Sequence, residues 1–154
     1  MSMKFRRLII DCDPGIDDAF ALAYTLSNSA AEVLGITTVA GNMPICTTTR
    51  NALTISDLYG IVPVCQGAEK PMTDKVPLAS CADCHGRDGL GDIGLKASER
   101  KAEERSAVDF ILDTLLENEA GTIDIICLGP LTNIATAVER NAACMRRTRG
   151  IYSM

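Results

Sequence analysis

The length, composition and charge of the chain limit the kinds of protein that it can be. Its 154 residues are 47% hydrophobic and 23% charged, which is ordinary for one globular domain with a buried core. A formal net charge of −5 excludes the basic surface that a nucleic acid polymer requires, and it suits a small neutral or cationic ligand. No apolar run reaches membrane-spanning length and no signal-peptide pattern opens the chain, so we expect a cytoplasmic protein without a membrane partner.

Two hydrophobic periodicities alternate along the chain and predict strands and helices in turn. We expect strands at 6–13, 32–39, 62–65, 122–128 and 151–154. Helices are expected at 17–27, at 45–59 with Gly60 as its stop, at 107–119 with Ser106 as its cap and Gly121 as its stop, and from 132 to about 141. The predicted inward positions are Ala19, Phe20, Leu22, Ala23 and Leu26 on the first helix, and Val108, Ile111, Leu112 and Leu115 on the third.

This alternation predicts an α/β fold, with an open, mostly parallel sheet that carries helices on both faces and right-handed crossovers. Residues 1–154 would form a single domain. Ligands of such sheets bind beyond the carboxyl ends of the strands. The loops at 13–18, 41–42 and 128–130 should therefore meet at one edge of the sheet. Residues 67–105 contain no strong element, and a stretch of this length predicts an active-site loop.

Four acidic residues crowd the first predicted strand-to-helix turn. Asp11 and Asp13 end the strand, and Asp17 and Asp18 open the helix. Carboxylates this close cannot all stay ionised unless one holds a proton or a cation neutralises them. The turn therefore predicts either a shared proton or a metal ion, and hard oxygen ligands of one sign favour Ca²⁺ or Mg²⁺. An acidic turn that is merely solvated is the simpler alternative.

The seven cysteines are an odd number scattered among apolar neighbours, which favours a reducing compartment over a disulfide framework. We expect most of them to be small core side chains. The segment from Cys81 to His85 matches the Cys-x-x-Cys-His pattern of covalent haem attachment. Haem would need export and an axial partner, and a structural zinc would need ligands from elsewhere, so neither is favoured.

Four segments of the chain resemble, in order, the motifs of one enzyme family. They are residues 9–19 (Ile-Ile-Asp-Cys-Asp-Pro-Gly-Ile-Asp-Asp-Ala), 37–42 (Thr-Thr-Val-Ala-Gly-Asn), 85–91 (His-Gly, then Gly-Leu-Gly) and 129–135 (Gly-Pro-Leu-Thr-Asn-Ile-Ala). The first closely resembles the N-terminal signature of the inosine-uridine preferring nucleoside hydrolases. This resemblance implies an enzyme that binds a small-molecule nucleoside and cleaves its N-glycosidic bond with the help of a bound Ca²⁺.

The resemblance also implies a role for each matching residue. Asp13 would be a Ca²⁺ ligand and the general base that activates water, and Asp18 would be a second ligand. A further ligand would be the backbone carbonyl of Leu128. Substrate contacts would come from Asp17 to the ribose hydroxyls, from Asn42 to water or sugar, and from His85 to the nucleobase or ribose. Asp11 would support the ligands without touching the ion.

The chain departs from this family in its length, since members of the family run to about twice the length of this chain and beyond the usual range of one domain. The absent half would supply another aspartate ligand, a histidine beside the leaving group, and asparagine and glutamate contacts to the ribose. Residues 146–154 resemble the approach to the family's mid-chain strand. We therefore expect little or no hydrolysis by this polypeptide alone. The open sheet edge at 151–154 predicts a homo-oligomer.

Two other functions fit parts of the pattern. Phosphatases of the haloacid dehalogenase type also begin with a hydrophobic strand and Asp-x-Asp, and their first aspartate attacks phosphate with Mg²⁺ bound. In those enzymes a glycine and a hydroxyl residue normally follow, whereas Pro14 and Gly15 follow here. The other alternative is a non-catalytic unit that binds metal or ribose and assembles with itself.

Overall fold

A computed structural model describes residues 5–73 and 81–154. The strands are β1 (Arg6–Cys12), β2 (Ala31–Thr38), β3 (Val64–Gln66), β4 (Ile123–Cys127) and β5 (Gly150–Ser153). The helices are α1 (Ile16–Leu26), α2 (Ile45–Tyr59), α3 (Ala82–His85), α4 (Ala107–Glu117) and α5 (Thr132–Met145). Every predicted element is present with small shifts at its ends, and only the short helix α3 was not expected.

The strands form one parallel sheet in the order β3-β2-β1-β4-β5. The central strand β1 pairs with β2 on one side and β4 on the other, so that Asp11 lies opposite both Thr37 and Cys127. The predicted parallel sheet is thereby confirmed. Because all five strands run the same way, their carboxyl ends share one edge, and the loops that follow β1, β2 and β4 begin there.

Helices cover both faces of the sheet, as predicted. Successive side chains of β1 point to opposite faces, so Ile9 packs in a core with α4 and α5 while Ile10 packs in a second core with α1 and α2. The predicted inward residues of α4 are all buried. The prediction for Phe20 was wrong, because its side chain is 74% exposed. Leu22, spaced three residues from Ala19, defines the buried stripe of α1, and Phe20 lies about 100° around the helix from Ala19.

The helix ends follow the capping signals in part. Ser106 caps α4 by accepting a hydrogen bond from the Asp109 amide at 3.1 Å. Helix α4 ends at Glu117, before the predicted end, and Gly121 forms the turn into β4 with φ of +76°. Helix α5 continues past its predicted end at Asn141, where the backbone leaves helical geometry and the Asn141 side chain accepts from the Cys144 amide.

Four of the cysteines, Cys12, Cys65, Cys127 and Cys144, are buried as predicted. The loop at 67–105 is described except for residues 74–80, which lie outside the described residues, and it contains α3 and a turn around Asp88. Its assignment as an active-site loop, and that of 1–154 as one domain, stay predictions. In the two described ranges, no helix has both the length and the apolar character needed to cross a membrane.

Candidate functional site

The loops that follow β1, β2 and β4 meet around the carboxylate of Asp13. A Cβ atom added at Gly41 would overlap Asp13 Oδ2, and one added at Gly129 would overlap Asp13 Oδ1. Only glycine therefore fits at these two positions. The two glycines hold the carboxylate between the loops, and the predicted convergence of the three loops at one edge of the sheet is confirmed.

Asn42 ties Asp13 to Asp18. Its backbone amide donates to Asp13 Oδ2 at 2.6 Å, and its side-chain amide lies 3.3 Å from the Asp13 carbonyl oxygen and 3.4 Å from Asp18 Oδ2. The amide of Gly15 also donates to Asp18 Oδ2, at 3.3 Å, which closes the first turn of α1. Asn42 thus holds the two acids in position, while its predicted contact with water or sugar stays a prediction.

The second carboxylate oxygen of Asp18, Oδ1, has different surroundings from Oδ2. Among the described residues, Asp18 Oδ1 is buried and has no hydrogen-bond partner. Burial and the neighbouring charge of Asp13 raise the pKa of Asp18 to about 7. Burial likewise raises the pKa of Asp13, although the amide of Asn42 opposes that shift. A buried carboxylate oxygen without a donor is a position that a proton or a cation can occupy.

Asp11 lies within strand β1, two residues before Asp13, and is fully buried. Its Oδ1 accepts from the Thr37 hydroxyl and from the Asn133 side-chain amide at 2.8 Å, and these bonds partly offset the burial that raises its pKa to about 6. Asn133 also donates to the Thr38 carbonyl and accepts from the Ala68 amide. The sequence analysis assigned no role to Asn133, although it lies in the segment 129–135 that resembles a family motif.

His85 and Asp17 lie beside the start of α1. His85 Nδ1 accepts from the Ile16 amide at 3.2 Å and lies 4.0 Å from Asp17 Oδ1. The ring packs so closely that a Cβ at Gly15 would come within 2.8 Å of Nδ1. The Asp17 side chain is 64% exposed, against 14% for His85. Asp17 is therefore open to a ligand. His85 is mostly buried, and its bond to Ile16 holds the 67–105 loop against the start of α1.

Asn51 is a second residue that sequence reasoning missed. It is buried on α2, and its side-chain amide donates to the carbonyls of Pro14 and Asp88 at 3.1 and 2.9 Å. These bonds join the acidic turn to the loop that carries His85. An asparagine directly before the apolar Ala52 and Leu53 of a predicted helix was the available signal, because a buried side-chain amide has to find partners.

The donors that this chain offers to a cation are all oxygens. The predicted ligands Asp13 and Asp18 carry carboxylates. The predicted ligand Leu128, whose own amide donates to the Asp11 carbonyl at 2.8 Å, has a main-chain carbonyl just before Gly129. Within residues 5–73 and 81–154, no group of three or more His, Cys, Asp or Glu side chains is placed to hold a metal ion. Two carboxylates and one carbonyl can supply only part of the shell of a hard cation such as Ca²⁺, which takes about 6–8 oxygens.

A family model described as inosine-uridine preferring nucleoside hydrolase matches residues 8–154. The chain belongs to this family. The match confirms the predicted family resemblance, and nothing in it supports a phosphatase of the haloacid dehalogenase type. Uridine nucleosidase 1 of Arabidopsis thaliana is 41% identical to the chain over 151 residues, which are 96% of this chain and 44% of that protein.

Two further relatives agree with this assignment. The inosine-uridine preferring nucleoside hydrolase of Crithidia fasciculata is 38% identical over 152 residues, covering 97% of this chain and 48% of that protein. The solved structure of a purine-preferring ribonucleoside hydrolase from Gardnerella vaginalis matches with a TM-score of 0.89 and 36% identity, over 97% of this chain and 48% of that one. The chain thus spans about half the length of the curated relatives it matches.

Proposed function

We propose that this chain contributes the acidic half of a ribonucleoside hydrolase site, which cleaves the N-glycosidic bond to release base and ribose. The observation that carries the proposal is the pairing of Asp13 with Asp18 at the carboxyl ends of the strands, where Asp18 Oδ1 is buried and has no hydrogen-bond partner in the described part of the chain. The relatives are named as hydrolases and nucleosidases of purine and pyrimidine nucleosides, which supports this reaction class and a place in nucleoside salvage.

Asp13 is the general base of this proposal. Its Oδ2 is held by the Asn42 amide, so Oδ1, beside Gly129, is the atom that takes the proton from the attacking water. The raised pKa of Asp13 suits this task, because a base is most effective when its pKa approaches the working pH. The glycines at 41 and 129 fix the direction in which the carboxylate can point.

Asp13, Asp18 and the Leu128 carbonyl would hold Ca²⁺, as the family resemblance implies for a metal-dependent hydrolase. When bound, the ion would lower the pKa of the water and fix its position. All three donors are hard oxygens, which favours Ca²⁺ over a transition metal. Among residues 5–73 and 81–154, Asp18 Oδ1 has no hydrogen-bond partner and both acids have raised pKa values, which describes a negative charge that the other described groups do not balance.

Asp17 and His85 would contact the substrate. The exposed carboxylate of Asp17 can accept hydrogen bonds from the ribose hydroxyls, and His85 would lie near the base or ribose. Breaking the N-glycosidic bond builds positive charge on the sugar, as in glycoside hydrolysis, and a pocket rich in carboxylates stabilises that charge. Asp11 supports the site through its buried bonds to Thr37 and Asn133.

We also propose that the chain forms a homo-oligomer in a reducing, cytoplasmic compartment. The outermost strand β5 exposes Ile151 and Tyr152, at 42% and 56% of their surfaces, and such an edge favours pairing with another chain. All seven cysteines are free, which suits a reducing compartment. Light scattering of the purified chain tests the assembly, and a freely soluble monomer contradicts it. Fractionation of the source cells tests the compartment.

Metal binding is the first test. Calorimetry with CaCl₂ should detect binding to the 154-residue chain, weaker in the variants Asp13→Asn and Asp18→Asn. Asp113→Asn, at an exposed position of α4, is the matched control and should bind like the unmodified chain. Absence of Ca²⁺ and Mg²⁺ binding at millimolar concentration would remove the metal from the proposal.

Activity is the second test. We expect little ribose release from inosine or uridine by this polypeptide alone, since it spans about half the length of its relatives. Adding the second half of the Crithidia fasciculata hydrolase, as a fusion or a separate chain, should give activity that Asp13→Asn abolishes. Ribose release by the chain alone, lost in Asp13→Asn, would keep the reaction but refute the need for more residues. Ca²⁺ or ribose binding without turnover in every combination would favour the non-catalytic alternative, which the partial coverage supports.

A further inference from the structure

The pair Cys81 and Cys84 lies beside the site and takes no part in the proposed reaction. All seven cysteines are free. Four are buried and Cys46 is exposed on α2, so Cys84, which is exposed, and Cys81, which is half-buried, form the accessible pair that is close in sequence. A Cys-x-x-Cys pair in a reducing compartment and a βαβ fold is typical of reversible thiol chemistry.

The two cysteines share one helical turn. The amides of Cys84 and His85 both donate to the Cys81 carbonyl at 2.9 Å, and Cys81 stands at the cap of α3 with non-helical angles of φ −96° and ψ 38°. Residues three apart on a helix have Cβ atoms about 5–6 Å apart, against about 3.5–4.5 Å in a disulfide. For a pair at helical spacing, bond formation tightens the turn by about an ångström or two, roughly the difference between these ranges.

Both ends of this turn are bonded to the acidic site. The Cys81 amide donates to the Asn42 carbonyl at 2.9 Å, and the Asn42 amide in turn holds Asp13. At the other end, His85 follows Cys84 directly and accepts from the Ile16 amide through Nδ1. Tightening the turn must therefore strain the bond to Asn42, the bond to Ile16, or both.

We propose that Cys81 and Cys84 form a reversible disulfide that shifts His85 and loosens the acidic site. The oxidant is a low-molecular-mass disulfide such as oxidised glutathione. The exposed Cys84 thiolate attacks it, forming a mixed disulfide and releasing one glutathione. The Cys81 thiolate then attacks the Cys84 sulfur and releases the second glutathione. The two cysteines thus lose two electrons and two protons, and the oxidant's S–S bond is reduced to two thiols. Intracellular disulfides of this kind are usually transient and redox-sensing.

The bond itself can be tested by mass. In a Cys46→Ser background, which removes the other exposed cysteine, oxidised glutathione should give a product lighter by two hydrogen atoms. Peptide mapping should place the bond between Cys81 and Cys84, and a dithiol reductant should reverse it. Cys81→Ser and Cys84→Ser in the same background should give no such product. Stable glutathione adducts on both cysteines, without the intramolecular bond, would overturn the proposal.

The coupling to the site has its own reporter, because His85 is the single histidine of the chain. An NMR spectrum of the Cys46→Ser protein, with its histidine labelled with ¹³C, should show one imidazole signal. This signal should shift on oxidation and return on reduction. The Cys84→Ser variant, treated identically, is the control and should show no shift. A disulfide that forms while the His85 signal stays in place would refute the coupling.

The consequence for function rests on the proposed function and is measured separately. Oxidation should weaken Ca²⁺ binding by about tenfold, the lower end of what losing a supporting contact to a metal ligand costs. If the mass and the His85 signal change as expected but the reduced chain binds no Ca²⁺, the disulfide and its coupling to His85 are supported and the proposed metal site is refuted. If the reduced chain binds Ca²⁺ and oxidation leaves the affinity unchanged, the proposed regulation fails while the site stands.

Discussion

Replacing Asp18 by asparagine separates a metal ligand from a simple helix cap. The amide keeps the size of the side chain and can still accept from Gly15 through its oxygen, but it removes one negative charge beside Asp13. If Asp18 merely caps α1, this change should lower the stability of the chain. If Asp18 is a cation ligand, the change should raise the stability of the metal-free chain and weaken its affinity for the metal.

The pKa of Asp18 sets the expected size. A pKa of about 7 against an ordinary 3.8 means that the ionised carboxylate costs the metal-free chain at most about 4 kcal/mol above neutral pH. An amide oxygen accepts more weakly than a carboxylate from the Gly15 and Asn42 amides, which reduces the benefit. We therefore expect Asp18→Asn to raise the free energy of unfolding by about 1–2 kcal/mol. Supporting residues behind metal ligands alter affinity about 10–100-fold, so loss of the ligand itself should cost at least tenfold.

Urea denaturation at about pH 8, without and with CaCl₂, measures both effects. The matched control is Asp109→Asn, because Asp109 occupies the same third position of α4, where it bonds the cap residue Ser106. Its carboxylate is half exposed and its pKa is lowered, so the control should lose stability slightly and leave Ca²⁺ binding unchanged. Loss of stability in Asp18→Asn with intact Ca²⁺ affinity would show that Asp18 is only a cap.

Three further changes test the surroundings of these acids. Because burial raises the Asp18 pKa above its unfolded value, the metal-free chain should lose stability as pH rises from 3.8 to about 7, a slope that urea titrations should find reduced in Asp18→Asn. Gly129→Ala should cost about 1–3 kcal/mol by displacing Asp13 and should weaken Ca²⁺ binding, whereas Gly60→Ala, where a Cβ meets only ordinary contacts, should bind like the unmodified chain in calorimetry. Asn133→Ala should cost about 2–4 kcal/mol in urea denaturation, because it removes the side-chain bonds to the Thr38 carbonyl and the Ala68 amide. A loss no larger than that of Asn28→Ala, whose side chain accepts from the Ala30 amide at an exposed turn, would contradict this.

The fold was predictable because its elements have strong local signals. Three signals each place an element to within a few residues: the apolar run of β1, the Ser106 cap and the Gly60 stop. The alternation of strands and helices predicts that the strands run parallel. Phe20 shows the limit of this reasoning. Periodicity gives the direction of the stripe to within about one residue, and an aromatic next to the stripe can lie on either side of its edge.

The site was predictable in its acids and not in its supports. Carboxylates at Asp13 and Asp18 are visible because crowded charge is costly and demands an explanation. The supports Asn51 and Asn133 act across 37 and 122 residues of sequence, and no local pattern encodes which buried carbonyl an amide will reach. The same holds for the link between Cys81 and Asn42, which only the packing of the loop reveals.

The two states that the sequence left open, a shared proton and a bound metal, are alternatives for the same atoms. With a pKa of about 7, Asp18 carries a proton on a large fraction of metal-free molecules at neutral pH. Its Oδ1, which no described residue contacts by a hydrogen bond, is where that proton or a cation can reside. Binding of Ca²⁺ must therefore release protons between about pH 6 and 7, and few above about pH 8. Calorimetry in buffers of different ionisation enthalpy measures this release directly. The release should fall in Asp18→Asn, and a count that is zero at about pH 6.5 in the unmodified chain would show that the cation binds elsewhere.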